Sequence, residues 1–228
     1  MSFLAASSIS TIKRGLLPEI QQSLASFIMS SSEILTAAEY AERKLDLPEG
    51  GRWTELVAGH IVTLQPPDDD HGNVVRNVML AFSKFAHHTS QGYACCEIGL
   101  ITHRQPDTVR CPPVSYFLEG AQFAELDNLI AERKPAVVVE IASTNDRRRQ
   151  MEQCVTEYLD FNIPLVWVID PHDKQVHAFQ KSRTAKRWSE HQILYGSSIL
   201  DGFEFPVGDL FALPPWWNAK GEKGPAAP

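Results

Sequence analysis

The sequence predicts an α/β fold, a mixed β-sheet flanked by helices, and three observations carry that prediction. Residues 136–142 read Ala-Val-Val-Val-Glu-Ile-Ala and residues 165–169 read Leu-Val-Trp-Val-Ile, apolar runs of strand length that suit strands covered on both faces. Between them Met151, Cys154, Val155, Tyr158 and Leu159 fall at i, i+3, i+4, i+7 and i+8, one apolar stripe of a helix lying on a sheet. The connections are short, so the unit is a right-handed crossover between parallel strands. A chain of 228 residues with 43% hydrophobic content forms one domain with extensions rather than two full domains.

The elements follow in chain order. Residues 1–32 are rich in Ser and Ala and read as a flexible extension, with a short surface helix over residues 16–28 as the alternative and Met29 as a second candidate start. The domain is expected over residues 33–212. Thr36-Ala37-Ala38-Glu39 is a capping-box pattern and opens a helix that runs to Lys44. Residues 53–57 and 60–64 form a hairpin turning at Ala58-Gly59. Pro66 to Asp70 is a loop, and an amphipathic helix follows over residues 71–89, with Val74, Val75, Val78, Phe82 and Phe85 at helical spacing. Extended segments are expected at 93–103 and 114–118. Asn145 is the expected N-cap of the crossover helix, and residues 176–180 add an edge strand. The Gly-, Pro- and Ala-rich end, 213–228, reads as a flexible tail, with Trp216-Trp217 as a candidate docking tag.

Composition narrows the function classes. Lys plus Arg total 21 against 28 Asp plus Glu, a net charge of -7. That balance argues against a general polyanion binder while allowing a local basic groove. Cys95, Cys96, Cys111 and Cys154 form no CxxC pair, which speaks against a zinc cage or a disulfide framework and for a reducing cytoplasm. No apolar run approaches the roughly 20 residues needed to span a membrane.

Glu140 is the chemical anomaly. A carboxylate inside a doubly covered strand needs a partner, a metal or a raised pKa. Several landmarks accompany it in order: Glu55-Leu56-Val57-Ala58-Gly59, Pro66 with His71-Gly72, residues 108–115 (Thr-Val-Arg-Cys-Pro-Pro-Val-Ser), residues 138–143, and Tyr158 with residues 163–171. Together they resemble the Uma-type restriction endonuclease family, a branch of the PD-(D/E)XK nuclease superfamily, over roughly residues 33–211. The resemblance implies a restriction-endonuclease-like core and a site made of an Asp at the head of one strand, a Glu on the next and a Lys from the following helix. Two carboxylates would hold Mg²⁺ or Mn²⁺, which activates water, while the lysine steadies the developing charge.

This chain departs from that pattern at two of the three positions. Family members read Arg-x-Pro-Asp-Val-Ser where this chain reads Arg110-Cys111-Pro112-Pro113-Val114-Ser115, so Pro113 replaces the metal-binding Asp. Counting along the helix puts Cys154, on the apolar stripe, where the Lys belongs. Glu140 survives as the metal-ligand and catalytic candidate; otherwise it is a structural acid bridging to a buried Arg or Tyr. Glu55 matches a family glutamate near the site, or is polar on an exposed hairpin face. His71 matches the family's His-Gly and would contact a scissile phosphate, or cap its helix. Residues 68–70 read as a solvated acidic turn, Asp107 as a turn residue, Glu97 as a strand residue facing either way, and Arg147-Arg148-Arg149 as phosphate-facing or solvated. The expectation is a nuclease-derived cytoplasmic protein with impaired catalysis, DNA as its partner, Mg²⁺ or Mn²⁺ if active, and a homodimeric state. The alternative is a non-catalytic nuclease-fold module that binds nucleic acid or protein.

Overall fold

The computed structural model describes residues 34–121, 125, 128–215 and 217. The expected N-terminal extension with its candidate helix and Met29, Trp216, and the tail from residue 218 onward lie outside the described residues. The elements in order are α1 (Ala37–Lys44), a 3₁₀ turn (Pro48–Gly51), β1 (Thr54–Val57), β2 (His60–Thr63), α2 (Asp69–Thr89), β3 (Tyr93–Cys96), β4 (Leu100–His103), β5 (Thr108–Arg110), β6 (Val114–Phe117) and β7 (Val137–Ile141). They continue with α3 (Asn145–Asp160), β8 (Leu165–Asp170), β9 (Gln175–Phe179), β10 (Lys186–Ser189), β11 (Ile193–Tyr195), β12 (Glu204–Pro206) and the single turn α4 (Val207–Leu210).

A six-stranded mixed sheet in the order β10-β9-β8-β7-β6-β3 forms the centre, and its parallel pair is β7–β8, with Glu140 opposite Val168. A four-stranded antiparallel sheet, β2-β1-β5-β4, stands beside it, and β11-β12 form a small ribbon. Strand alternation sorts the core. Val137, Val139, Ile141, Leu165, Trp167 and Ile169 face the α2 side, where Val78, Phe82 and Phe203 pack; the Phe82 and Trp167 rings stack at 5.7 Å. Val138, Ala142, Val166 and Val168 face α3 and meet Cys154, Val155 and Tyr158. Glu140 lies between Val138 and Ala142 in the strand, so the same alternation turns it toward α3.

The expected α1 has its full capping box: the Thr36 hydroxyl accepts from the Glu39 amide at 3.2 Å and Glu39 accepts from the Thr36 amide at 2.8 Å. The hairpin turns at Ala58 and Gly59, both left-handed (φ 49° and 80°), the conformation of a tight two-residue hairpin turn. Four expectations shift. Helix α2 begins at Asp69, because Asp68 caps it by accepting from the His71 amide at 2.8 Å; neither an acidic loop nor a histidine cap stands there. The cap of α3 is Thr144, one residue before Asn145. The segment 93–103 divides at Glu97 (φ 52°) into β3 and β4, which serve different sheets. Strand β9 is internal, since β10 pairs outside it.

Candidate functional site

The chain leaves the smaller sheet at Arg110 and enters the larger one at Val114. Cys111-Pro112-Pro113 makes the crossing, and two prolines without amide hydrogens suit a segment that serves neither ladder. Glu55 on β1 and Arg110 on β5 are neighbours across one ladder of the smaller sheet, where Leu56 faces Val109, and Glu157 reaches Arg110 from α3. The Arg110 Nη1 donates to Glu55 Oε2 at 2.8 Å, and its Nε and Nη2 donate to Glu157 Oε2 and Oε1 at 2.7 and 2.9 Å. The second Glu55 oxygen accepts from the Cys111 amide at 3.0 Å. Arg110 is 1% exposed and Glu55 4%, which excludes the exposed-hairpin reading of Glu55. Burial alone would lower the Arg110 pKa, but the hydrogen bonds of Glu157 and the charge of Glu55 raise it above the ordinary arginine value. Burial pushes Glu157 up, yet its bonds to Arg110 prevail and hold it below the usual carboxylate range.

Glu140 is buried and accepts from the Tyr158 hydroxyl at 2.7 Å. Burial first, and then the charge of Glu55, push its carboxyl up to about 7, against the opposing pull of Tyr158, Arg147 and Arg110. The reading of Glu140 as an acid bridged to a buried tyrosine thus has a concrete partner, four residues along the helix from Cys154. Burial raises the Cys154 thiol well above its ordinary value despite Arg110 nearby, so at neutral pH it is a packed thiol.

His71, Glu55, Pro113, Glu97 and Arg147 line one cleft of about 200 Å³ together with Lys44 and Arg52. His71 is buried, and its Nδ1 lies 3.0 Å from the Ser143 Oγ. Burial and then the charge of Arg147 lower its pKa to about 4, so the ring is neutral at pH 7. The structure brings Glu55 and His71 to one cleft, whereas Glu140 is not among its lining residues and meets Tyr158 of α3. Glu97 is exposed in the bend between β3 and β4 rather than in a strand, and Asp107 is a turn anchor that accepts from the Ala37 amide at 2.7 Å. The arginine run divides in three. Arg148 forms a two-pronged pair with Asp170 (2.8 and 2.7 Å), Arg149 pairs with Asp146 at 3.5 Å, and Arg147 is buried. Sequence reasoning missed Glu157. The available signal was its position three residues past Cys154, on the same helix face, opposite a strand arginine that needed a buried counter-charge.

These residues do not fit a divalent metal. Both Glu55 oxygens are engaged, one by a guanidinium; Pro113 has no side-chain ligand atom; one Glu140 oxygen holds Tyr158; and Cys154 is a protonated thiol on an apolar face. Among the described residues, no three His, Cys, Asp or Glu side chains stand close enough to share an ion. Two-carboxylate magnesium sites need free oxygen ligands, and the resident cation between the acids here is Arg110.

The fold is thus a mixed sheet with one parallel crossover, with one buried acid on β7 and a second on the neighbouring β1–β2 hairpin. The family model Uma2, described as "Putative restriction endonuclease", matches residues 38–209, and the chain belongs to this family. The chain is also similar to a crystal structure from Anabaena variabilis described as a "putative nuclease", with a TM-score of 0.63, 19% identity, and coverage of 78% of this chain and 97% of that one. That likeness shows the shared fold. A search of curated proteins finds no match to the sequence.

Proposed function

We propose that this chain is a nuclease-fold protein that has lost metal-dependent DNA cleavage and works by binding, with nucleic acid as the ligand class that its family suggests. The observation that carries this reading is the state of Glu55: its carboxylate is satisfied by Arg110 and the Cys111 amide, while Pro113 and Cys154 occupy the two other family positions. Each lost electrostatic contact to the transition state costs roughly 3 to 4 kcal/mol, so losing a metal ligand and the lysine together puts cleavage many orders of magnitude down. Glu140, Glu55 and His71 are then structural and cleft-lining residues, and Mg²⁺ or Mn²⁺ is no part of the working protein. A homodimer belongs to the same reading and is checked by light scattering on the purified chain. Among the described residues no helix is long and apolar enough to cross a membrane.

A plasmid-nicking assay with Mg²⁺ and with Mn²⁺ tests the proposal. Wild type and Glu140→Ala are expected to leave the plasmid intact alike. Nicking by wild type that Glu140→Ala abolishes would overturn the proposal and favour a site rebuilt on other ligands, Glu55 or Glu97 first.

A further inference from the structure

Arg147 is 9% exposed, and its Nε is shut off from solvent with no acceptor. No hydrogen bond or ion pair engages its guanidinium among the described residues, whereas its neighbours Arg148 and Arg149 each hold an aspartate. Burying an unpaired charge is costly. The placement adds to that cost. Arg147 stands in the first turn of α3, beside Asp146 and with its own amide capped by the Thr144 hydroxyl at 3.4 Å, and the positive end of a helix repels a cation and attracts an anion. Arg147 also lines the cleft of about 200 Å³ shared with His71, Lys44 and Arg52.

We infer that this cleft is a binding site for a single phosphate-type oxyanion, held by the Arg147 guanidinium at the N-terminal end of α3. The fork of an arginine matches two oxygens of a tetrahedral oxyanion. Two acids line the cleft. Glu55 is already neutralised by Arg110, and Glu97 is an exposed residue facing solvent. Glu140, the acid whose charge reaches Arg147, accepts from the Tyr158 hydroxyl and gives Arg147 no hydrogen bond. His71 is neutral there and adds a polar ring rather than a second charge. The cleft is smaller than the roughly 300 to 1,000 Å³ of pockets for drug-sized molecules, and its volume of about 200 Å³ suits an ion or the terminal phosphate of a nucleotide chain. Binding requires no catalysis, so this inference and the loss of cleavage stand or fall separately.

Thermal unfolding of the full chain in chloride and in inorganic phosphate, at matched ionic strength and pH 7.5, tests it. Wild type is expected to show a saturable rise in melting temperature, on the order of 3 °C at about ten times the Kd. Arg147→Met should melt no lower than wild type in chloride and lose the phosphate response. Arg147→Lys, which keeps the charge and loses the fork, should retain a response that needs roughly tenfold more phosphate. Arg148→Met should melt lower and keep the response in full. A wild type without a saturable rise, or an Arg147→Met that keeps it, overturns the inference. Fluorescence anisotropy with a short single-stranded oligonucleotide, with and without a 5′-phosphate, separates the sources. Preference for the 5′-phosphorylated strand, displaced by inorganic phosphate, assigns a nucleic-acid end; phosphate binding without that preference assigns the free ion. Equal binding of both strands that phosphate does not displace counts against the site.

Discussion

Arg110 sits between Glu55 and Glu157 with three of its donors engaged at 2.7 to 2.9 Å, so its removal strands a buried carboxylate. Arg110→Met is expected to cost about 3 to 5 kcal/mol, the usual consequence of breaking a buried pair from one side. Arg110→Met combined with Glu55→Gln should recover part of that loss, and urea unfolding of the single and double variants measures both. Glu140 and His71 carry opposite pH signatures. A carboxyl raised from 4.5 to about 7 on folding binds more protons in the native state, so its contribution is present at low pH and fades as pH climbs through 7. An imidazole lowered from 6.5 to about 4 binds fewer, so its contribution holds above 6.5 and fades as pH falls toward 4. Each spans about 2.5 pH units, on the order of 3 kcal/mol, and between pH 4.5 and 6.5 they oppose each other. Unfolding free energies across that window should therefore rise more steeply with pH in Glu140→Gln than in wild type, and less steeply, or fall, in His71→Asn. Parallel profiles for all three proteins would contradict the assigned shifts.

Helices and hairpins show what a local signal can and cannot specify. The capping box of α1, the Ala58-Gly59 turn and the apolar stripe of α3 were legible because each is written within a few consecutive residues. The start of α2 was misread because three aspartates after two prolines look like a loop, whereas Asp68 accepts from the His71 amide and Asp69 and Asp70 form the acidic first turn. Asp68→Ala should cost about 1 kcal/mol, and Asp70→Ala, which removes no cap, a fraction of that; chemical denaturation of the pair separates them. The strands β5, β11 and β12 are three residues long, too short to show alternation, so their existence depends on partners far away in sequence. The fates of Arg147, Arg148 and Arg149 were illegible for a related reason. On a helix three consecutive residues face three directions, and the sequence does not say which direction is core.

Across the whole molecule, the crossover of β7, α3 and β8 placed Glu140 and Cys154 on facing surfaces, and that much followed from pattern and spacing. What the sequence could not display is the division into two sheets, with Arg110-Cys111-Pro112-Pro113 as the seam between them. The β1–β5 pairing within the smaller sheet brings Glu55 to within hydrogen-bonding reach of Arg110 and makes its carboxylate half of an ion pair. The division into two sheets explains why Pro113 is tolerated at a position that belongs to neither ladder. Titration of Mn²⁺ into the folded wild-type chain, read by the electron paramagnetic resonance signal of the free ion, tests the proposed loss of the metal site most directly. The free-ion signal should track added Mn²⁺ through the millimolar range, with Glu140→Ala superimposable on wild type. Saturable depletion of that signal near one equivalent, absent in Glu140→Ala, would mean that Glu140 still holds a metal and that the site is alive.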